Sequence, residues 1–189
     1  MRLPALEKNI LVYRALQMAL FLFYSEALRR QLVFAVGREL NTGGESLKGE
    51  KLLKRIFCEL ESNSLLTADE STEVQLLLQH RNTIAYQIHQ LTGDIELPGR
   101  NYRFASYLPR KYDYGALTKI KHWHDTLPAR LSKHYILTIG FESLEFEAAA
   151  HAYERELIAL RRRIDGQYAI RKRAAKRVAL HPERQSGKG

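Results

Sequence analysis

Apolar residues recur at the spacing of an α-helix from Val74 to Leu91, in the stretch VQLLLQHRNTIAYQIHQL. They share one face of that helix: Val74, Leu77, Leu78, Ile84, Ala85, Ile88 and Leu91. A stripe at a period of 3.6 residues predicts a helix that packs one face into a core. The chain holds only five prolines, and long stretches contain neither Pro nor Gly. Because these residues interrupt helices, the fold class predicted is an all-α helical bundle.

Arg81 lies inside that apolar stripe, one heptad after Val74 and one before Ile88. Arginine is rarely buried unless it is paired, so its position requires an explanation. One interpretation is a buried structural arginine that pairs with a carboxylate, such as Glu59 or Glu73, across the bundle or the dimer. The other is a guanidinium that contacts a phosphate.

Three polar residues accompany Arg81 on the same helix. At about 100° per residue, Asn82 and His89 lie close together on one edge of the stripe, and Tyr86 lies just beyond. A guanidinium, an amide, a phenol and an imidazole in one place can hold a phosphate and move a proton.

The length of 189 residues suits one domain, or one domain with an appendage. The single cysteine, Cys58, excludes an internal disulfide and a cysteine-based zinc finger, and its apolar neighbours predict a core position. The apolar segment MALFLFY covers about half of the roughly 20 residues that a membrane span needs. A buried helix, a cytoplasmic protein and no membrane partner are therefore expected.

Four regions are predicted along the chain. Residues 1–95 form a helical core: a first helix from about Pro4 to Leu40, a second that Asn63 ends, and a third that stops near Gly93. Residues 67–70, TADE, have the pattern of a capping box at the start of the third helix. Residues 96–115 form a loop, residues 116–180 complete the bundle, and residues 181–189 are a disordered tail. In the third region Pro128 is expected to begin a short helix. Residues 141–178 are expected to form a long helix with an apolar row at helical spacing: Leu157, Leu160, Ile164 and Tyr168.

Positive charge is concentrated at the C-terminal end. Residues 161–189 hold ten basic and two acidic side chains, a charge of +8, whereas residues 1–160 hold twenty basic and nineteen acidic ones, a charge of +1. A basic final helix generally binds nucleic acid, an acidic protein or anionic lipid, and the other interpretation is a simple solubilising tail. The loop mixes cations with aromatic rings, a composition that suits single-stranded RNA or a solvated loop with anchoring tyrosines. The candidate nucleic-acid contacts are Arg100, Arg103, Tyr107, Arg110, Lys111, Arg171, Lys172, Arg173, Lys176 and Arg177.

The sequence His122-Trp123-His124 has two histidines at a spacing that would put both on one face of a strand but not of a helix. No third ligand is evident nearby. The expected structure is a helix end with Trp123 docked on the core, and neither a metal nor a cofactor is expected.

The stretch FCELESNSLLTADESTEVQLLLQHRNTIAYQIHQLTGD resembles the HEPN superfamily of small helical bundles, whose motif is R-N-x-x-x-H on a helix that follows a turn like this one. The resemblance covers roughly residues 10–93. It implies a homodimer in which two motif helices form one cleft, with Arg81 on the scissile phosphate and Asn82 orienting its neighbours. Tyr86 stands where the familiar histidine would stand, so His89 becomes the candidate proton carrier.

The resemblance implies an RNA-directed protein, and two forms of it remain open. One is a metal-independent endoribonuclease of the toxin or defence type, with an antitoxin or another protein partner. The other is a non-catalytic nucleic-acid-binding or regulatory subunit with a degenerate site, which the tyrosine at position 86 favours. A third interpretation is a purely structural subunit whose long helix docks on a partner protein.

Overall fold

The computed structural model describes residues 5–40, 48–86, 115–137 and 141–180. Within these ranges it does not describe the side chains of residues 85, 86, 141–145, 175 and 177–180. The described residues contain helices and short turns but no strand. The helices are α1 (Ala5–Leu32), a π-helical segment (Val33–Gly37), α2 (Arg38–Leu40), α3 (Gly49–Ser62), α4 (Ala68–Tyr86), α5 (Ala116–Leu131) and α6 (Phe141–Leu180). The predicted all-α fold is confirmed.

Helix α1 is the centre of the bundle, since it contacts α4, α5 and α6. Its fully buried side chains include Leu20, Phe21, Leu28 and Leu32. They belong to one hydrophobic cluster that also takes in residues of α3, α4, α5 and α6. The core therefore joins the predicted region 1–95 to the predicted region 116–180.

The first helix runs to Leu40 as expected, but the segment Val33–Gly37 is π-helical. At Gly37 this segment approaches α3 closely. A Cβ added there would lie 3.4 Å from atoms of both Ile56 and Leu52. Such a Cβ would be in ordinary van der Waals contact, so the side chains of Ile56 and Leu52 pack directly over the backbone of this segment.

The capping box predicted at the start of α4 is present. The Thr67 backbone N–H donates to Glu70 Oε2 (2.9 Å), and the Glu70 N–H donates to Thr67 Oγ1 (3.2 Å). Glu70 also accepts from Arg130 Nη1 of α5 at 3.0 and 2.9 Å. The guanidinium of Arg130 lies 5.5 Å from the centre of the Trp123 ring. One carboxylate thus caps α4 and ties it to α5.

We expect Glu70→Ala to lower the free energy of unfolding by about 1–2 kcal/mol, because it removes half of the capping box and the ion pair to Arg130. The Thr67 N–H, followed by Arg130, holds the pKa of Glu70 below its usual 4.5. A depressed pKa contributes stability that is present at neutral pH and is lost as the pH falls through the folded-state value. Thermal unfolding at pH 7 measures the effect. Asp69→Ala, an exposed acid in the same turn, is the control and should change little.

Three local expectations are wrong. Pro128 does not begin a helix but lies inside α5, and the helix continues across it because Leu127 and Leu131 on either side are fully buried. Cys58 is exposed rather than in the core, because Ile56, Phe57 and Leu60 take up the buried face of α3. Tyr168, at the end of the predicted apolar row of α6, is 63% exposed, whereas Leu157 and Leu160 in that row are buried.

Helix α6 runs antiparallel to α1. Tyr24 Oη donates to Glu154 Oε1 (2.9 Å), Asn9 Nδ2 donates to Gln167 Oε1 (3.0 Å), and Arg171 Nη1 donates to Glu7 Oε1 (2.7 Å). The C-terminal part of α6 therefore lies beside the N-terminal part of α1. The residues of α6 after Arg171 therefore extend past the point where α1 begins.

Candidate nucleic-acid interface

Arg81 is held by an internal carboxylate. Its Nη2 lies 3.0 Å from Glu26 Oε2 of α1, and the two side chains are 35% and 27% exposed. The structural interpretation had named Glu59 or Glu73, and both are wrong as partners of Arg81. Glu59 accepts from Asn63, and Glu73 accepts from Trp123 and pairs with Lys119. Glu26 is the partner of Arg81 because α1 passes alongside α4. The spacing of residues in the sequence does not indicate this contact between helices.

Glu26 is shared among three arginines. Arg29 binds it through Nε (3.2 Å) and Nη2 (2.9 Å), and Arg30 Nε lies 3.4 Å away. Arg29 is the main cause of the low pKa of this carboxyl, Arg81 and Arg30 add to it, and partial burial opposes it. Three guanidiniums thus share one carboxylate on a partly exposed surface.

The structure describes the other residues of the Arg81 motif only in part. Asn82 is exposed on α4. Tyr86 is the last described residue of that helix, and its side chain lies outside the description, as does the whole of His89. The structure therefore describes the side chains of Arg81 and Asn82 but neither of the two side chains predicted to move a proton.

The segment His122-Trp123-His124 is helical, so the two histidines do not share a face. Trp123 is buried in the core, as expected, and its Nε1 donates to Glu73 (3.2 Å). His124 packs between the rings of Tyr24 and Phe146, with centroids 5.1 and 5.4 Å away. In the described part of the chain, no group of three or more His, Cys, Asp or Glu side chains could hold a metal ion.

A polar cluster between α1, α5 and α6 has no signal in the sequence. Glu154 accepts from Tyr24, forms an ion pair with Lys121, and lies 3.8 Å from His151 Nδ1. Burial, and then the Glu154 carboxylate, raises the pKa of Tyr24. Burial is also the largest single influence on Glu154, but its bonds to Lys121 and Tyr24 together hold the pKa of this carboxyl below 4.5. Tyr24 is therefore a neutral donor, and the cluster joins three helices.

The outer face of α6 carries the largest group of cations without acidic partners among the described residues. Arg155, Arg162 and Arg173 lie on one side of the helix, because 7 and 11 residues are close to whole numbers of turns. Spacings of about 10 and 16 Å separate them along the axis. Lys172 and Lys176 lie beside this row. All five are exposed, and none forms an ion pair with a described residue.

The neighbouring cations of α6 are engaged. Arg161 bonds to Asp165 and to the phenol of Tyr13, Arg163 pairs with Glu156 (3.7 Å), and Arg171 pairs with Glu7. Arg171 is therefore placed against the body of the bundle, unlike the other predicted contacts of this helix. Lys172, Arg173 and Lys176 are exposed, and Arg177 lies on α6 with its side chain outside the description.

A shallow groove of about 350 Å³ lies where α6 crosses the start of α1. It is lined by Leu157, Ile158, Tyr13, Arg161 and Arg162. Ile158 is 55% exposed. Apolar side chains with an aromatic ring and two guanidiniums are suited to a nucleobase with its phosphate. The loop candidates Arg100, Arg103, Tyr107, Arg110 and Lys111 lie outside the described residues.

Comparison with protein-family models, curated proteins and solved structures finds no match to this chain. The resemblance to the HEPN superfamily therefore depends on the motif residues of this sequence alone. The segment Ala5–Leu40 is, within the described ranges, long and apolar enough to cross a membrane by length and composition, a test that core helices of soluble proteins also pass.

Proposed function

We propose that this protein binds RNA through the outer face of α6, as a non-catalytic binding module. The observation that carries the proposal is the row of exposed cations on that face, Arg155, Arg162, Lys172, Arg173 and Lys176, without acidic partners in the described part of the chain. Lysine and arginine that replace the counterions of phosphates supply most of the sequence-independent affinity for nucleic acid. A cation that is already paired with a carboxylate supplies less affinity, because that ion pair must be broken before the cation can contact a phosphate.

The groove favours a single strand over a duplex. Bases of a single strand are free to stack on exposed apolar and aromatic side chains, and Tyr13 and Ile158 offer such a surface beside Arg162. In a duplex the bases are stacked on one another and only their edges can be reached. Phosphates would lie along the α6 row, and at least one base would occupy the groove.

The pairing of Arg81 with Glu26 favours the non-catalytic form. To contact a scissile phosphate, this guanidinium would have to share or leave a carboxylate 3.0 Å away. That exchange costs electrostatic energy that a free arginine would not lose. Arg81 in this proposal joins α1 to α4, and the basic helix binds RNA.

A HEPN-like endoribonuclease remains the second candidate, and the gathering of Arg29, Arg30 and Arg81 around one carboxylate favours it. In that form the ribose 2′-hydroxyl attacks the adjacent phosphate and the P–O5′ bond breaks, which gives a 2′,3′-cyclic phosphate and a 5′-hydroxyl, while Arg81 stabilises the charge on the phosphoryl oxygens. His89 or Tyr86 would take the proton of the 2′-hydroxyl and return one to the leaving 5′-oxygen. An antitoxin or another protein partner would belong to this form.

One titration tests the binding proposal. The intact protein is mixed with labelled single-stranded RNA, and the binding constant is measured by fluorescence anisotropy across a range of salt concentrations. We expect a linear fall of log K against log salt with a slope of roughly −3 to −4, which corresponds to about five neutralised phosphates on a single strand. A duplex of the same length should bind more weakly. Affinity that does not depend on salt would contradict the proposal.

The substitution Arg81→Ala separates the two candidates. We expect single-stranded RNA to stay intact in EDTA with either protein, RNA affinity to change less than about twofold, and the free energy of unfolding to fall by about 0.5–1 kcal/mol for this half-exposed pair. RNA cleavage by the unchanged protein that Arg81→Ala abolishes would select the endoribonuclease instead. Arg29→Ala, which leaves Arg81 on Glu26, is the matched control for the loss of one guanidinium from this group.

A further inference from the structure

Gly166 is exposed in the middle of α6, and the helix runs through it without a break. A Cβ added at this position would lie in open space, with nothing of the described chain packed against it within 4 Å. Glycine inside a helix is destabilising relative to alanine, because its backbone loses more conformational freedom on folding. No contact in the described chain accounts for that cost. A glycine in open space does, however, let another molecule approach the helix backbone closely.

Gly166 lies within the row of exposed cations on the outer face of α6. It follows Arg162 by four residues and precedes Arg173 by seven, so the three positions lie within about 40° of one another around the helix. Along the axis it is about 6 Å from the first and about 10 Å from the second. The residues of this face between the two arginines are uncharged and exposed: Gly166, Ala169 and Ile170. The row of cations is thus interrupted at the point where the helix backbone is least covered.

We propose that Gly166 is the place where a single strand of RNA crosses α6 in closest contact. A nucleotide lies against the helix backbone there, and phosphates on either side of it bind Arg162 and Arg173. Ile170, which is 67% exposed, adds an apolar surface that the base would cover. A side chain at position 166 would hold the strand away from the helix, and the phosphates would then lie farther from their arginines. The inference deepens the proposed function and rests on it.

The position of Gly166 connects the two parts of the proposed interface. Arg162 lines the groove that is suited to a base. Lys172, Arg173 and Lys176 lie on the other side of Gly166, towards the end of the helix, and all three are exposed. The shortest path along α6 from the groove to these cations passes over Gly166, so one strand can occupy both parts.

A polyanion fits this surface better than a second copy of α6 does. Two copies that met at Gly166 would bring Arg162 and Arg173 of each close to those of the other, and like charges repel. The acid next to Gly166 does not compensate them, because Asp165 is paired with Arg161 at 3.4 Å. A strand of RNA brings negative phosphates to the same surface, so its charge is complementary.

The test measures Gly166→Ala and Gly166→Leu in two ways, by urea unfolding and by affinity for labelled single-stranded RNA. Both substitutions should raise the urea midpoint or leave it unchanged, since alanine and leucine are better helix formers than glycine. We expect affinity to fall about threefold for Gly166→Ala and about tenfold or more for Gly166→Leu, because the larger side chain holds the strand farther away. A purely structural role would not move stability and affinity in opposite directions.

Ala148→Leu is the matched control. Ala148 is exposed on the same side of α6, since 18 residues make five turns, but it lies about 27 Å along the axis from Gly166 and before the first cation of the row. This variant should bind RNA as the unchanged protein does.

Three results would overturn the inference, and they differ in what they say of the proposed function. Salt-dependent RNA binding that both Gly166 variants keep in full would leave that function standing without a close contact at this residue. No RNA binding by the unchanged protein would remove the function and the inference together. A dimer in sedimentation velocity that Gly166→Leu dissociates would assign the position to a protein contact instead.

Discussion

Reversing three charges on the outer face of α6 should remove most of the affinity for single-stranded RNA. The variant carries Arg162→Glu, Arg173→Glu and Lys176→Glu, all at exposed positions without acidic partners in the described chain. Each change removes a phosphate contact and adds a repelling charge, so we expect a loss of about a hundredfold or more at low salt. The slope of log K against log salt should also become shallower by about 2, at roughly 0.7 per lost contact on a single strand.

Stability should change little, because surface substitutions away from caps and ion pairs usually stay within about 0.5 kcal/mol. The matched control reverses three exposed cations at α3, with Lys48→Glu, Lys51→Glu and Arg55→Glu, which also form no ion pair with a described residue. Both triple variants have the same net charge. Equal losses of affinity would mean that net charge, and not the α6 face, determines binding, and the proposed interface would then be wrong.

Features that depend on neighbours in sequence could be predicted from the sequence alone. The capping box of Thr67 and Glu70 formed as expected, because both hydrogen bonds join residues three positions apart. The length of α6 and the burial of Leu157 and Leu160 follow from periodicity in the same way. These features need no knowledge of which helix lies next to which.

Features that depend on the arrangement of helices could not be predicted. Arg81 was expected to need an acid, but the sequence offers many, and Glu26 is chosen because α1 passes beside α4. The cluster around Glu154 joins residues of three helices that lie 30 to 130 positions apart, as Lys121 and Tyr24 show. Spacing within one helix contains no information about such contacts.

The burial of the apolar segment of α1 could be predicted only in part. Its composition from Ala15 to Tyr24 predicts burial on several sides, and the bundle buries Leu20, Phe21 and Tyr24 but leaves Phe23 partly exposed. One chain therefore satisfies only part of the pattern.

Arg171→Ala should destabilise the fold by about 2 kcal/mol without a comparable loss of RNA affinity. Glu7 is 6% exposed, and its Oε1 lies 2.7 Å from Arg171 Nη1. Its Oε2 is buried and accepts no hydrogen bond from the described residues. Removing one partner of an ion pair in which both side chains are buried leaves an uncompensated charge and lowers the free energy of unfolding by about 3–5 kcal/mol. The loss expected here is smaller, because Arg171 is half-exposed and solvent screens the pair.

The pH dependence identifies the carboxylate as the cause. Arg171 holds the pKa of Glu7 below its usual 4.5, against the opposing effect of burial. A depressed pKa contributes stability that is present above 4.5 and is lost as the pH falls through the folded-state value. In the variant that contribution is absent, so the difference in stability between the two proteins should be largest near pH 7 and should shrink below pH 4.5.

Urea unfolding at several pH values measures this difference, and Lys172→Ala, the exposed neighbour without an acidic partner in the described chain, is the matched control. The two substitutions should have opposite consequences. Lys172→Ala should weaken RNA binding severalfold and leave stability almost unchanged, since it removes one phosphate contact and no internal one. If Arg171→Ala instead unfolds at the same urea concentration as the unchanged protein at pH 7, its pairing with Glu7 does not stabilise the fold, and Arg171 returns to the set of residues available to RNA.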